Sequence, residues 1–193
     1  MMTNEEIDQL QLVPETHPLL VKELAPLDYE KIDAKALAQR LMKIMVGCSG
    51  AGLSANQVGV DAQMFVMQWP NMGDIPAGSK IVINPELLGH SPTDATFEEG
   101  CLSFPALFLW LKRPDAVAVR YQTVDGETVE ELLEGWPARI FQHEYDHIKG
   151  LTFRDKASKI KLEFALKKRN KIFKRAGIDY KKVLNGQAIT QLG

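Results

Sequence analysis

The chain has 193 residues, of which 45% are hydrophobic and 25% charged, with a formal net charge of -2. That length lets one domain bury a sizeable core without disulfides, and no apolar run approaches the roughly 18 residues that a membrane span needs. The acidic start, MMTNEEIDQLQLVPE, lacks the basic and apolar parts of a secretory signal, so Cys48 and Cys101 are read as thiols in a reducing, cytoplasmic setting with no membrane partner.

In chain order, DAKALAQRLMKIMV over 33–46 offers Asp33 as N-cap and puts Leu37, Leu41 and Ile44 or Met45 on one face, which predicts an amphipathic helix. GCSGAGLSANQVG then packs four glycines into thirteen residues. That density predicts an irregular loop whose backbone approaches something closely. AQMFVMQW and KIVINP are strand candidates on either side of the turn-rich PNMGDIPAGS. Beyond EEGCLSFP, partly alternating apolar runs flank Asp125-Gly126, a strong hairpin signal.

WPARIFQHEYDHIKG predicts a helix that opens near Trp136-Pro137 and stops at Gly150. SKIKLEFALKKRNKIFKRAG predicts another, with Ile160, Leu162, Phe164, Leu166 and Phe173 as packing residues and Gly177 at its end. Residues 156–176 are thus read as a basic C-terminal helix and 177–193 as a tail. No repeat or low-complexity linker divides the chain. Strands in the middle and helices at either end predict a single α+β domain over 1–193.

The small net charge hides an asymmetry. Residues 151–193 carry 12 Lys and Arg against Asp155, Glu163 and Asp179, a local balance of +9 that leaves -11 for the rest. Such a stretch is ordinarily a solvated helix face. The sharper reading is an electrostatic footprint for a polyanion such as RNA.

One motif carries chemistry on its own. His143 and His147, four apart on a helix, face the same side with Glu144 beside them, the arrangement that grips a metal ion next to a general base. Chance is a poor source for His-Glu-x-x-His in a chain with only 4 histidines. His17 and His90 sit in proline-flanked and turn-like contexts and carry no such signal. The third ligand is open at this point. A histidine six residues after the second would complete one protease pattern, but Phe153 stands there and cannot coordinate. Glu163 would serve another protease pattern, although its basic surroundings suit a surface salt bridge better. Cys101, within EEGCLS, offers a thiolate suited to Zn²⁺ or Fe²⁺, while Cys48 lacks a comparable setting and reads as an inert thiol.

Taken together, GAGLSANQ at 50–57, EGCLS at 99–103 and HEYDH at 143–147 resemble, in order, the three motifs of the peptide deformylases. The resemblance runs from about Val13 to Gly150. It departs at Ser54, where the family usually has alanine, and at FPALFLWLKR over 104–113, which is more apolar than in many bacterial members. It implies antiparallel or mixed β-sheets packed around a central HExxH helix, with an N-terminal and a C-terminal helix. It also implies an enzyme that removes the formyl group from the initiator methionine of nascent chains and releases formate. Cys101, His143 and His147 would then hold one divalent ion, natively Fe²⁺, with Zn²⁺ or Ni²⁺ in purified protein. Glu144 would take the proton of a metal-activated water as it attacks and return it to the departing amine. Gln57 and the Leu102 N–H would stabilise the oxyanion. Gly50 and Gly52 would pair with the extended peptide, and Ile140, Phe141 and Leu102 would surround the methionine. A monomer is expected, and the family's C-terminal helix is compatible with ribosome contact.

Overall fold

Asp33 does cap the first long helix: its Oδ1 accepts the Ala36 N–H at 2.9 Å. Helix α2 runs Ala34–Gly47 and buries Leu37, Leu41 and Met45 along the expected stripe. The structure, a computed structural model, describes residues 2–184. A short helix α1, Asn4–Asp8, precedes α2 and packs on it.

The seven strands are β1 (Gly52–Ser54), β2 (Met64–Trp69), β3 (Gly78–His90), β4 (Asp94–Cys101), β5 (Phe104–Pro114), β6 (Ala116–Gln122) and β7 (Thr128–Glu134). They form a five-stranded sheet in the order β1-β2-β3-β6-β7 and a separate β4-β5 hairpin, and every paired strand is antiparallel. Gly126, with φ +81°, turns β6 into β7 as the Asp-Gly pair predicts.

Helix α3, Gly135–Ile148, follows β7 directly and packs against strands of both sheets. It is therefore the central element of an α+β fold. Its face toward the large sheet joins Phe65, Val82 and Val119 through Ala138, Phe141 and Ile148. Gly150, at φ +69°, ends it where a Cβ would lie 2.6 Å from the Lys22 carbonyl carbon. No helix among the described residues is long and apolar enough to cross a membrane.

Three expectations need correction. The glycine-rich segment is not an irregular loop: Gly52, Leu53 and Ser54 pair with Met67, Val66 and Phe65 as an edge strand, and Ala55–Val58 forms one 3₁₀ turn. Neither Gly50 nor Gly52 is among the positive-φ residues. These glycines spare space, not backbone strain. Second, the C-terminal helix α4 spans Lys159–Arg175 behind its Ser158 N-cap, and Phe153–Lys156 is a separate 3₁₀ turn. Third, Ile160 and Phe164 do not pack, being 69% and 67% exposed. Leu162 and Leu166, partly buried, and Phe173, fully buried, form the inner stripe, and residues 160 and 164 lie on the opposite side of the helical wheel. Arg169, buried on that inner stripe, pairs with Glu15 at 2.9 Å and so ties α4 to the N-terminal segment. The tail begins with a short helix α5, Tyr180–Leu184; residues 185–193 lie outside the described part.

Candidate active site

A groove of about 1120 Å³ opens between α2, the β1 edge, the β4-β5 hairpin and α3. Gly50, Gly52, Gln57, Cys101, Leu102, Ile140, His143 and Glu144 all line it. Four separate segments thus meet at one place. The ligand atoms of Cys101, His143 and His147 lie within 4.8 Å of one another, the one such group of three found among the described residues. Cys101 Sγ is 3.3 Å from His147 Nε2. Glu163 is exposed on α4 and takes no part in this cluster. The protease alternative therefore lacks its third ligand.

The donor set fits a divalent ion. A cysteine sulfur and two imidazoles converge from a tight turn and one helix face, and the His143 ring is prepared from behind. Glu99 Oε2 bonds His143 Nδ1 at 2.9 Å, which leaves Nε2 for the cluster. Burial pushes the His147 pKa well below its ordinary value and keeps that ring neutral. Burial also opposes charge on His143, but its contacts with Cys101 and Glu99 outweigh this and push its pKa up to about 10. A cation taking Nε2 must displace that proton.

Behind the histidines lies a buried ion cluster. Glu99 receives Arg113 Nε at 2.8 Å and Nη2 at 3.0 Å, together with Arg139 Nη1 at 2.9 Å. Arg113 Nη1 also reaches Asp146 Oδ2 at 2.6 Å. Burial alone would raise the Glu99 pKa, but the bonds from His143 and Arg113 hold it well below the usual carboxylate range.

Glu144 is buried at the groove, and desolvation raises its pKa. A Cβ on Gly52 would sit 2.3 Å from Glu144 Oε1, so only glycine leaves room for the carboxylate. A Cβ on Gly50 would lie 2.9 Å from Leu102 Cδ1. Gln57 Oε1 accepts the Ser54 N–H at 2.8 Å, which turns its Nε2 toward Ser103 Oγ at 3.0 Å and Cys101 Sγ at 3.5 Å. Leu102 occupies the turn between β4 and β5, beside the cysteine.

Phe141 does not border the groove. It is fully buried, edge-on to Phe65 with ring centroids 5.3 Å apart and stacked on Tyr145. Neighbouring helix positions point about 100° apart, so Ile140 and Phe141 cannot share one wall. Sequence reasoning missed Glu99, Arg113, Arg139 and Asp146. Arg139 and Asp146 stand four before and three after His143, a helical spacing that marks them as its neighbours. Arg113 carried no such signal: the β4-β5 register sets it opposite Ala95, on the same face as Glu99 four residues further along β4, and only its long side chain closes that distance.

The polypeptide deformylase family model matches residues 9–163. A peptide deformylase of Thermotoga neapolitana is 45% identical over 139 residues, covering 72% of this chain and 81% of that protein. One from Phenylobacterium zucineum is 37% identical over 170 residues, covering 88% and 99%. Among solved structures, a Met-Ala-Ser-bound class I type b peptide deformylase from Acinetobacter baumannii matches with a TM-score of 0.70 and 32% identity over 77% of this chain and 98% of that one.

Proposed function

The chain belongs to the peptide deformylase family, enzymes that remove the N-formyl group from nascent polypeptides, and on that premise we propose that Cys101, His143 and His147 hold its catalytic metal while Glu144 moves the proton. The observation that carries the reading is the convergence of those three ligands beside a buried carboxylate at the floor of a groove. Cys101, His143 and His147 would hold a divalent ion there, which would supply Lewis acidity toward the formyl carbonyl and toward a water near neutral pH. Glu144, its pKa raised by burial, accepts the proton of that water and delivers it to the departing amine. Gln57, pinned through its carbonyl, and the Leu102 N–H meet the charge that develops on the formyl oxygen.

The free edge of β1 supports peptide binding as an added strand. Main-chain pairing at Gly50 and Gly52 holds a substrate without reading its downstream sequence, while Ile140 and Leu102 offer apolar contact to the methionine. The Acinetobacter baumannii relative was solved with Met-Ala-Ser bound, which supports a peptide ligand that begins with methionine.

Fe²⁺ is proposed as the native ion, since a soft thiolate and imidazoles suit it, with Zn²⁺ or Ni²⁺ replacing it in purified protein. Replacing Cys101 by serine removes the soft donor, and metal occupancy by elemental analysis is expected to fall sharply. Unchanged stoichiometry would name a different third ligand.

One chain supplies every proposed group, which supports a monomer, and a nascent-chain substrate supports a cytoplasmic setting. A ribosome contact is proposed for α4, whose outer face sets exposed Ile160 and Phe164 among Lys161, Lys167, Lys168 and Lys171. Changing these four lysines to glutamate should abolish salt-sensitive co-sedimentation with ribosomes while formate release from short peptides persists. Co-sedimentation at the parental level would remove the footprint.

A further inference from the structure

Ser54 is fully buried, yet its hydroxyl does not serve the sheet it belongs to. Ser54 Oγ donates to Glu144 Oε2 at 2.8 Å and lies 3.2 Å from the Glu144 backbone oxygen. A serine hydroxyl has one proton to give, and the shorter contact takes it. The other carboxylate oxygen, Oε1, is the atom packed against the Gly52 Cα, where no side chain fits. The two oxygens of Glu144 are thus unequal. One is tied down by a neutral donor, and the other lies over the β1 edge along which a peptide would pair.

We propose that Ser54 is a positioning residue that anchors Glu144 Oε2 and leaves Oε1 as the oxygen that takes and returns the proton. The assignment rests on Glu144 being the proton carrier. A long side chain such as glutamate loses several rotamers on burial, and a carboxylate that must swap a proton between water and amine gains from having one oxygen fixed. One more feature suits the role. The Ser54 backbone N–H simultaneously holds Gln57 Oε1 at 2.8 Å, so a single residue sets both the base and the oxyanion donor.

The test is a cycle of Ser54→Ala, Glu144→Ala and the double variant, each loaded with the same metal. For Ser54→Ala, kcat on formyl-Met-Ala should fall about ten-fold or more, the worth of one hydrogen bond to a charged group. KM and metal content should stay at parental values. The unfolding midpoint supplies a second reading: Ser54→Ala should shift it in the parent and shift it less once Glu144 is alanine, because the shared bond is already gone. Parental kcat in Ser54→Ala, with Glu144→Ala inactive, overturns the anchoring role alone. Equal midpoint shifts in both backgrounds also overturn it, since the hydroxyl would then serve only the helix backbone. An active Glu144→Ala enzyme would instead overturn the underlying reading of Glu144.

Discussion

Glu144→Ala is expected to lose deformylation of formyl-Met peptides by about 10²- to 10⁴-fold, the contribution of a positioned acid-base group. It should keep its fold and its metal. The carboxylate is not one of the three converging ligand groups, so elemental analysis should return the parental stoichiometry. Stability should not fall, because a buried carboxylate is costly and this one receives a single side-chain bond, from Ser54. The midpoint of thermal unfolding is therefore expected at or above the parental value. Glu144→Gln sharpens the experiment: it keeps the shape against Gly52 and can still accept from Ser54, yet it cannot carry a proton at neutral pH. If formate release from either variant matched the parent, proton transfer would have to be assigned elsewhere.

The convergence of the candidate ligands and Glu144 was legible in the sequence because its geometry is local. His143 and His147 need only helical spacing to share a face, and Cys101 and Gln57 sit inside short motifs whose order is itself informative. What stayed hidden depends on tertiary register. Ser54 was visible as a departure from alanine, but that its hydroxyl meets residue 144 follows only once the β1 edge lies beside α3. Phe141 was misplaced because an apolar residue beside a site reads the same whether it faces groove or core. The helix rotates it toward Phe65 instead. Ile160 and Phe164 were misplaced for the reverse reason. They belong to a run apolar enough to suggest packing, yet α4 has one inner stripe, and Leu162, Leu166 and Phe173 fill it. The glycines at 50 and 52 were correctly read as permitting close approach. What approaches is the Leu102 side chain at one and the Glu144 carboxylate at the other.

The support behind the ligands should show the largest stability effect in the molecule. Glu99→Ala leaves the guanidinium groups of Arg113 and Arg139 buried without their shared carboxylate, although Arg113 keeps Asp146. Removing one partner from a buried ion cluster costs about 3–5 kcal/mol, and denaturant unfolding of the metal-free protein should register that loss directly. The same change frees His143 Nδ1, so metal affinity should fall a further 10- to 100-fold or so, as expected when an outer hydrogen bond to a ligating histidine is lost. The two effects separate by condition. The ion cluster contributes to stability with Glu99 charged, and its folded pKa lies below the ordinary 4.5. Its contribution is therefore complete above that value and drains away as pH falls through the folded pKa. The gap in unfolding free energy between parent and Glu99→Ala should accordingly narrow in acid below about 4.5, and, because Glu99 helps hold the His143 pKa up to about 10, it should also narrow as pH rises from neutrality towards that value. A gap that widened in acid, or an unchanged metal affinity, would mean that Glu99 does not hold the ligand helix in place. Since His143, Arg139 and Asp146 all belong to α3, while Glu99 and Arg113 come from the β4-β5 hairpin, this cluster joins the strand bearing the thiolate to the helix bearing the imidazoles. The geometry of the three candidate ligands then depends on this ion cluster as well as on the helix and strand that carry them.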